Sequence, residues 1–162
     1  MRSLMLLRHA TTEAFRPGVS DHARRLTPEG EREAAAVGDH LRAAGVALDL
    51  VLCSPATRAR QTVQGLAEPA PVVISDRLYG AGGDEIVAVL REVPDDVRHL
   101  LVVGHAPGLP AVVHDLADPQ ASDPAAWESV RWRFPAAALA ALEFSGSWAA
   151  LERAALVRVR FP

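Results

Sequence analysis

The length, composition and charge of the chain narrow the classes of protein that it can represent. It has 162 residues, 49% of them apolar and 23% charged, which is typical of a globular domain. Its formal net charge of −3 argues against a general nucleic-acid binder, which would carry an excess of basic residues. No apolar run approaches the roughly 20 residues that cross a bilayer, and nothing before Arg8 resembles a signal peptide, so we expect a single cytoplasmic domain over residues 1–162 without a membrane segment.

The first predicted strand ends in a pair of functional side chains. Residues 3–7 are apolar enough for a buried strand, and Arg8 and His9 follow it directly. Because ligands of open α/β sheets bind beyond the carboxyl ends of the strands, this pair is expected at a binding edge. Residues 13–25 contain a Pro-Gly pair and show no clear period, which predicts a loop over that edge.

Helices and strands then alternate. The first helix is predicted to begin with Thr27 as its N-cap, and a second strand is predicted over residues 48–53. A second helix is expected to follow, with Ser54 as N-cap and Pro55 at the first helical position. Arg58 then lies within about one turn of a helix N-terminus, where backbone N–H groups favour an anion.

The second half of the chain repeats the opening arrangement. The apolar strand predicted over residues 99–104 delivers His105 at its carboxyl end. The alternation of strands and helices predicts an α/β fold, a three-layer αβα sandwich with a mostly parallel central sheet. The remaining predictions are a strand over 72–75, helices over 84–93 and 109–116, irregular structure over 117–135, and closing strands over 137–144 and 148–159, with 149–155 equally compatible with a helix.

Two arginines and two histidines share one chemical logic. A phosphoryl group in transfer carries charge on its equatorial oxygens, and the planar guanidinium groups of Arg8 and Arg58 match such oxygens. A neutral His9 can accept phosphorus as a nucleophile, and His105 can donate a hydrogen bond to the same oxygens. These residues predict a phosphate pocket. Neither a metal nor a cofactor is expected, because the sequence offers no metal-ligand set and the arginines already neutralise phosphate.

Three segments together resemble the signatures of the histidine phosphatase superfamily, the phosphoglycerate-mutase-like group. They fall in the family's order and are Leu7–Thr12, Ser54–Thr62 and Val103–Gly108. The resemblance implies a phosphoglycerate-mutase-like fold, His9 as nucleophile, and Arg8, Arg58 and His105 as the rest of the phosphate pocket. Within the superfamily the chain is most similar to the small phosphohistidine phosphatases of the SixA type.

Two further residues are candidates for contact with phosphate. The segment beginning at Arg25 resembles the start of the first helix in SixA-type proteins, so Arg25 is a candidate cation, although an ordinary surface charge explains it equally well. Thr12 can donate its hydroxyl hydrogen to phosphate, although a threonine that only forms the turn would look the same.

One departure from the family pattern bears on the substrate. Larger members place a glutamate general acid after the third strand, where this chain has Tyr79 and Gly80. Asp84 and Glu85 come a few residues later and are the candidate proton donors, at a spacing that differs from the family's. An alkoxide leaving group needs such a donor, whereas imidazole can leave as a neutral molecule near neutral pH.

The missing acid therefore favours a phosphatase that acts on phosphohistidine in a phosphorylated protein, through a covalent phosphohistidine enzyme. The first alternative is a broad-specificity or small-molecule phosphomonoesterase that hydrolyses a small phosphate ester. The second alternative belongs to a different class and is a phosphate-sensing module without turnover. Neither nucleic acid nor a membrane is an expected partner.

Overall fold

A six-stranded mixed sheet organises the protein, whose computed structural model describes residues 1–162. The strand order is β3-β2-β4-β1-β5-β6. The first four strands in this order are parallel, while β5 runs antiparallel to β1 and β6 antiparallel to β5. The strands are β1 (Arg2–Arg8), β2 (Leu50–Cys53), β3 (Val72–Ile74), β4 (His99–Gly104), β5 (Leu139–Phe144) and β6 (Ala155–Arg160).

Helices cover both faces of the sheet, which confirms the predicted αβα architecture. None of them combines the length and the apolar character that crossing a bilayer requires. The helices are α1 (Pro28–Ala43), α2 (Thr57–Leu66), α3 (Gly83–Arg91), α4 (Gly108–Leu116) and α5 (Pro124–Trp132).

The alternation of side chains along β1 explains the two layers of core. Leu4 and Leu6 face a cluster that includes apolar side chains of α3, α4 and α5. Met5 and Leu7 point to the opposite face and pack with α1 and α2. Because successive residues of a strand point to opposite faces, a wholly apolar strand is buried on both sides.

The start of α1 fixes the segment that follows His9. The Thr27 N–H donates to the carbonyl of Thr11 at 3.0 Å, and the Thr27 hydroxyl accepts from the Gly30 N–H as the predicted N-cap. Gly30 packs so closely against the Thr11 carbonyl that a Cβ would overlap its oxygen. The Glu33 carboxylate accepts from both the N–H and the hydroxyl of Thr11. The chain leaving β1 is therefore held by α1.

Two of the predicted elements are wrong in the last third of the chain. Residues 117–135 are not irregular throughout, because α5 begins there with Asp123 as its N-cap and Pro124 at the first turn. The last strand does not begin at Trp148, which lies in a 3₁₀ turn over Trp148–Ala150, and β6 starts only at Ala155. The fully buried Trp148 ring packs on Phe144, and its indole N–H donates to a backbone carbonyl, which fixes the turn.

The predicted cap of α2 is also wrong. The helix begins at Thr57, and Ala56 stands at the N-cap without a side-chain hydrogen bond. Ser54 lies two residues before the N-cap, and its hydroxyl contacts the Ala56 N–H and His105. Arg58 still lies in the first turn, as predicted.

Candidate active site

The carboxyl ends of three neighbouring parallel strands bring a serine and two histidines to one edge of the sheet. Ser54 follows β2, His105 follows β4 and His9 follows β1. The His9 N–H donates to the Gly104 carbonyl at 2.9 Å, which holds the two histidine-bearing strands level. Their imidazole centroids lie 5.2 Å apart. This edge is where an open α/β sheet binds its ligand.

His9 is held as a neutral ring with a free nitrogen. Its Nδ1 lies 2.8 Å from the carbonyl oxygen of Ala10. A carbonyl can only accept, so Nδ1 carries the hydrogen and Nε2 keeps its lone pair. Burial, followed by the nearby charges of His105, Arg58 and Arg8, lowers the pKa of His9 to about 3, although the Ala10 hydrogen bond opposes this shift. His9 therefore presents an unprotonated Nε2, as a nucleophile requires.

His105 makes its hydrogen bond through the other nitrogen. Its Nε2 lies 2.7 Å from the Ser54 hydroxyl, which also accepts from the Ala56 N–H. The Ser54 hydroxyl can donate to Nε2 or accept from it, so this contact is compatible with a hydrogen on either ring nitrogen. Nδ1 is buried and makes no hydrogen bond within the protein. Burial, followed by the charge of Arg58, lowers the pKa of His105 to about 4, so the ring is neutral near pH 7, and with its hydrogen on Nδ1 it can donate to a bound anion.

Each of the two arginines also has a buried donor without an acceptor. Arg8 donates through Nη1 to the Phe134 carbonyl at 2.8 Å, and its buried Nε makes no hydrogen bond. Arg58 is 5% exposed and uses both Nη atoms on Asp21, while its buried Nε is likewise without an acceptor. Burial lowers the pKa of Arg8, and the charge of Arg58 adds to this.

The site thus holds three buried nitrogens without a hydrogen-bond partner, the Nε–H donors of Arg8 and Arg58 and Nδ1 of His105, beside the free Nε2 of His9. Buried donors are costly unless an acceptor completes them. The charges of Arg8, Arg58 and His105 reach His9, which places all four groups within one electrostatic neighbourhood. Two of the donors are cationic, so the acceptor that fits is an anion with several oxygens. A phosphoryl group meets this description.

The loop after β1 contributes residues that the sequence did not identify. The Asp21 carboxylate accepts from the Tyr79 hydroxyl at 2.7 Å, from Arg58 Nη2 at 3.1 Å and from Arg24 Nε at 3.1 Å. These hydrogen bonds, that of Tyr79 first, lower the pKa of Asp21 to about 2, so it is ionised. The Tyr79 ring in turn packs edge-on against His105, with centroids 5.8 Å apart. Asp21 and Tyr79 therefore form a rim beside the buried cluster.

The remaining predicted site residues lie outside the cluster. Thr12 accepts from Arg24 Nη1 at 3.2 Å, and that arginine pairs with the rim carboxylate. Arg25 is exposed and lines a separate groove with polar residues of α1 and α2. Asp84 and Glu85 are exposed in the first turn of α3 and make no hydrogen bond or ion pair with the four central residues. The structure thus brings together His9, Arg8, Arg58 and His105, and none of the other candidates.

Cys53 stands next to the cluster in sequence but belongs to the core. It is fully buried, and its thiol donates to the Ser54 carbonyl at 3.2 Å. Burial raises the pKa of the thiol to about 12, so almost none of it is thiolate near neutral pH. Cys53 is a core residue, as its place in an apolar strand predicts.

Comparison with known proteins places the chain among histidine phosphatases. Residues 4–83 match the family model of the histidine phosphatase superfamily (branch 1). An uncharacterised protein of Mycobacterium tuberculosis is 42% identical over 158 residues, which cover 96% of this chain and 99% of that relative. A candidate phosphohistidine phosphatase SixA from Nakamurella multipartitia is 41% identical, with a TM-score of 0.89 over 99% of this chain and 96% of that one. A candidate SixA from Agrobacterium tumefaciens is 26% identical, with a TM-score of 0.83 over 99% and 98%.

Proposed function

This chain belongs to the histidine phosphatase superfamily and is a phosphatase of the SixA-like group, and from that premise we propose that it hydrolyses phosphohistidine on a protein substrate through a covalent intermediate at His9. The observation that carries the proposal is the free Nε2 of a neutral His9 beside three buried nitrogens without a partner, on Arg8, Arg58 and His105. A nucleophile and a set of oxyanion donors are the two parts that phosphoryl transfer needs.

In the first step, the lone pair of His9 Nε2 attacks phosphorus. The bond from phosphorus to Nε2 forms, the bond from phosphorus to the leaving group breaks, and the leaving group takes that electron pair. The guanidinium Nε atoms of Arg8 and Arg58 and the Nδ1 of His105 donate to the equatorial oxygens. The phosphorylated His9 ring becomes cationic and keeps its Nδ1 hydrogen on the carbonyl of Ala10, which stabilises that charge.

In the second step, water attacks the phosphorylated His9. The new bond joins the water oxygen to phosphorus, the bond to Nε2 breaks, and His9 recovers its lone pair. The proton of the attacking water passes to the phosphate that is released. The same three donors hold the oxygens in both steps, because the charge on them is the same in each transfer.

The groups around the pocket support a nitrogen rather than an oxygen leaving group. The carboxylate nearest to the cluster, Asp21, is ionised and holds no proton to give. Asp84 and Glu85 are exposed in α3 and do not reach the four central residues through any hydrogen bond. An imidazole that is already protonated leaves as a neutral molecule and needs no such donor.

A protein substrate is supported by the relatives. Two structures that resemble this chain over almost its whole length are candidate phosphohistidine phosphatases of the SixA type, and one of them shares 41% of its residues. The phosphorylated partner that we propose is therefore a histidine side chain of another protein. The alternative function is a phosphomonoesterase that hydrolyses a small phosphate ester. It would require a proton donor other than Asp21, Asp84 and Glu85.

The test measures phosphate release from a phosphohistidine peptide and from p-nitrophenyl phosphate, with the wild type and His9→Ala. We expect His9-dependent release that is faster from the phosphohistidine peptide. Faster turnover of the ester would favour the phosphomonoesterase. Release that survives in His9→Ala would contradict the covalent mechanism, and no release from either compound would point to the phosphate-sensing module.

A further inference from the structure

The Asp21 carboxylate contacts the guanidinium of Arg58, one of the proposed phosphate-binding cations. Its negative charge weakens the attraction of that cation for an anion. Asp21 contacts Arg58 through both its side chain and its backbone carbonyl, at 3.1 Å and 2.7 Å. The Asp21 side chain is 50% exposed, whereas that of Arg58 is 7% exposed. Asp21 thus lies on the solvent-exposed side of the buried Arg58 guanidinium.

The hydrogen bonds of this carboxylate leave room for one more donor. A carboxylate offers about four acceptor positions, two on each oxygen. Oδ2 accepts from Arg58 and Tyr79, while Oδ1 accepts from Arg24 alone. Arg24 also donates through Nη1 to the Thr12 hydroxyl and to the Glu13 carbonyl. Oδ1 therefore keeps an acceptor position in a half-exposed carboxylate.

The two cations of the pocket can only donate to a substrate. Arg8 and Arg58 each have a buried Nε–H without an acceptor, and the lone pair of His9 Nε2 is taken up by phosphorus in the proposed reaction. These donors recognise phosphate oxygens but offer nothing to a leaving group that itself carries N–H. Asp21 is the anion that adjoins them, and its hydrogen-bond partner Tyr79 packs on both His105 and His22, which places the rim around the mouth of the pocket.

We propose that Asp21 is a specificity-determining residue that accepts a hydrogen bond from the protonated imidazole of a phosphohistidine substrate and so favours nitrogen over oxygen leaving groups. This inference rests on the proposed function and deepens it. When the nitrogen that is not bonded to phosphorus carries a hydrogen, the phosphorylated ring is cationic. A carboxylate beside it stabilises that form by a charge-assisted hydrogen bond.

The protons and electrons of this step balance without another co-reactant. The bond between phosphorus and the substrate nitrogen breaks, and the electron pair stays on that nitrogen. The ring keeps the hydrogen that faces Asp21 and departs as neutral imidazole. His9 Nε2 takes the phosphoryl group in the same step. Asp21 remains ionised throughout and needs to give no proton.

The test compares Asp21→Asn with the wild type on the phosphohistidine peptide and on p-nitrophenyl phosphate. Asparagine keeps an oxygen that can accept from Arg58 but removes the charge. Because Asp21 also contacts Arg58, both substrates can respond, so the discriminating quantity is the ratio of the two kcat/KM values. We expect the ratio of kcat/KM on the phosphohistidine peptide to kcat/KM on the ester to fall by roughly 10-fold or more, which matches the loss of a hydrogen bond between charged groups.

The controls separate a selective role from a structural one. Asp39→Asn removes an exposed carboxylate that pairs with Arg42 on α1, and we expect it to change neither value. Asp21→Glu keeps the charge and should retain the preference for the phosphohistidine peptide, which keeps the inference testable if Asp21→Asn folds poorly by circular dichroism.

Equal losses on both substrates would overturn the inference, since Asp21 would then act only by holding Arg58, and so would no loss on either substrate. Failure of the proposed function is visible separately. A wild-type enzyme that leaves the phosphohistidine peptide intact but cleaves the ester refutes the function, and the inference with it, before any variant is measured.

Discussion

The adjacent parallel strands β1 and β4 place His9 and His105 at the same edge of the sheet, but the two imidazole rings form different hydrogen bonds. His9 forms a hydrogen bond through Nδ1 to the carbonyl of Ala10, and its Nε2 is free. His105 forms a hydrogen bond through Nε2 to the Ser54 hydroxyl, and its Nδ1 is free. Burial first of all lowers both pKa values, to about 3 and about 4, so both rings are neutral near pH 7. Charge state therefore does not distinguish them.

The partner on the far side of each ring makes the distinction. A carbonyl accepts only, so it forces a hydrogen onto Nδ1 of His9 and a lone pair onto Nε2. A serine hydroxyl can also donate, so it allows the lone pair of His105 to lie on Nε2 and the hydrogen on Nδ1. In the proposed mechanism the same type of side chain therefore acts as a nucleophile on β1 and as a donor on β4. The following predictions break or sharpen this comparison, beginning with the largest expected effect.

Replacing the nucleophile should have the largest effect. In His9→Gln the amide cannot take phosphorus, so we expect kcat/KM for phosphate release to fall by at least about 10⁴-fold, as loss of a nucleophile does in other enzymes. Steady-state assays measure this directly. His99→Gln is the matched control, since this exposed histidine lies at the start of β4, and its activity should stay at the wild-type level. An active His9→Gln enzyme would remove the basis for treating the rings differently.

Removing Arg58, whose charge lowers the pKa of both His9 and His105, should have the second largest effect. Arg58→Ala loses a buried donor to the transferring oxygens, and we expect kcat to fall by about 10²–10³-fold. Arg60→Ala, two residues along α2 and exposed, should leave kcat within a factor of about 2, because surface charges contribute little. Similar losses in the two variants would mean that Arg58 acts as general surface charge.

The acid stability of the fold should reveal the neutral state of His9. Its folded pKa of about 3 lies below the ordinary value of 6.5, so the unfolded chain binds more protons, and this contribution to stability is present above pH 6.5 and lost as pH falls toward 3. Between pH 7 and pH 5 the loss from His9 is about 2 kcal/mol.

Urea unfolding of the wild type and His9→Gln at both pH values measures this contribution. From pH 7 to pH 5, the free energy of unfolding of His9→Gln should decrease by about 2 kcal/mol less than that of the wild type. Parallel decreases in the two proteins would show that His9 is not held neutral by the fold.

Loss of the Ser54 hydroxyl should have the smallest effect. In Ser54→Ala, His105 is free to place its hydrogen on either nitrogen, and we expect kcat/KM to fall by roughly 10-fold, the value of about one good hydrogen bond. A double-mutant cycle with His105→Asn checks the reason, since Ser54→Ala should then cost almost nothing further. Additive losses would separate Ser54 from the tautomer of His105.

The central residues could be predicted because their signal is local. Apolar runs ending in a histidine identify β1 and β4, and the position of Arg58 in a helix start follows from the proline and small residues before it. Asp21 could not be found in this way, because its loop has no period and its partners Arg58 and Tyr79 lie 37 and 58 residues away in the chain. Loops carry function through tertiary contacts that sequence spacing does not express.

Two other differences have distinct causes. The pattern of Ser54 fits an N-cap, but the helix starts later, at Thr57, and the Ser54 hydroxyl contacts both the Ala56 N–H and His105, which is 51 residues away. α5, by contrast, carried a readable signal, since Asp123 and Pro124 repeat the cap-and-proline start that correctly identified α1 at Thr27. That the closing strands run antiparallel could not be deduced from local pattern, because pairing direction depends on the path of the chain.

The most direct measurement of the account traps the phosphorylated enzyme. The wild type, His9→Gln and His105→Asn would be mixed with a phosphohistidine peptide carrying labelled phosphate and quenched rapidly in alkali, which preserves phosphohistidine. The account predicts label on the wild type and on His105→Asn, mapped by mass spectrometry to His9, and none on His9→Gln. Label on His105, or wild-type turnover without any labelled enzyme, would contradict the different roles of the two histidines.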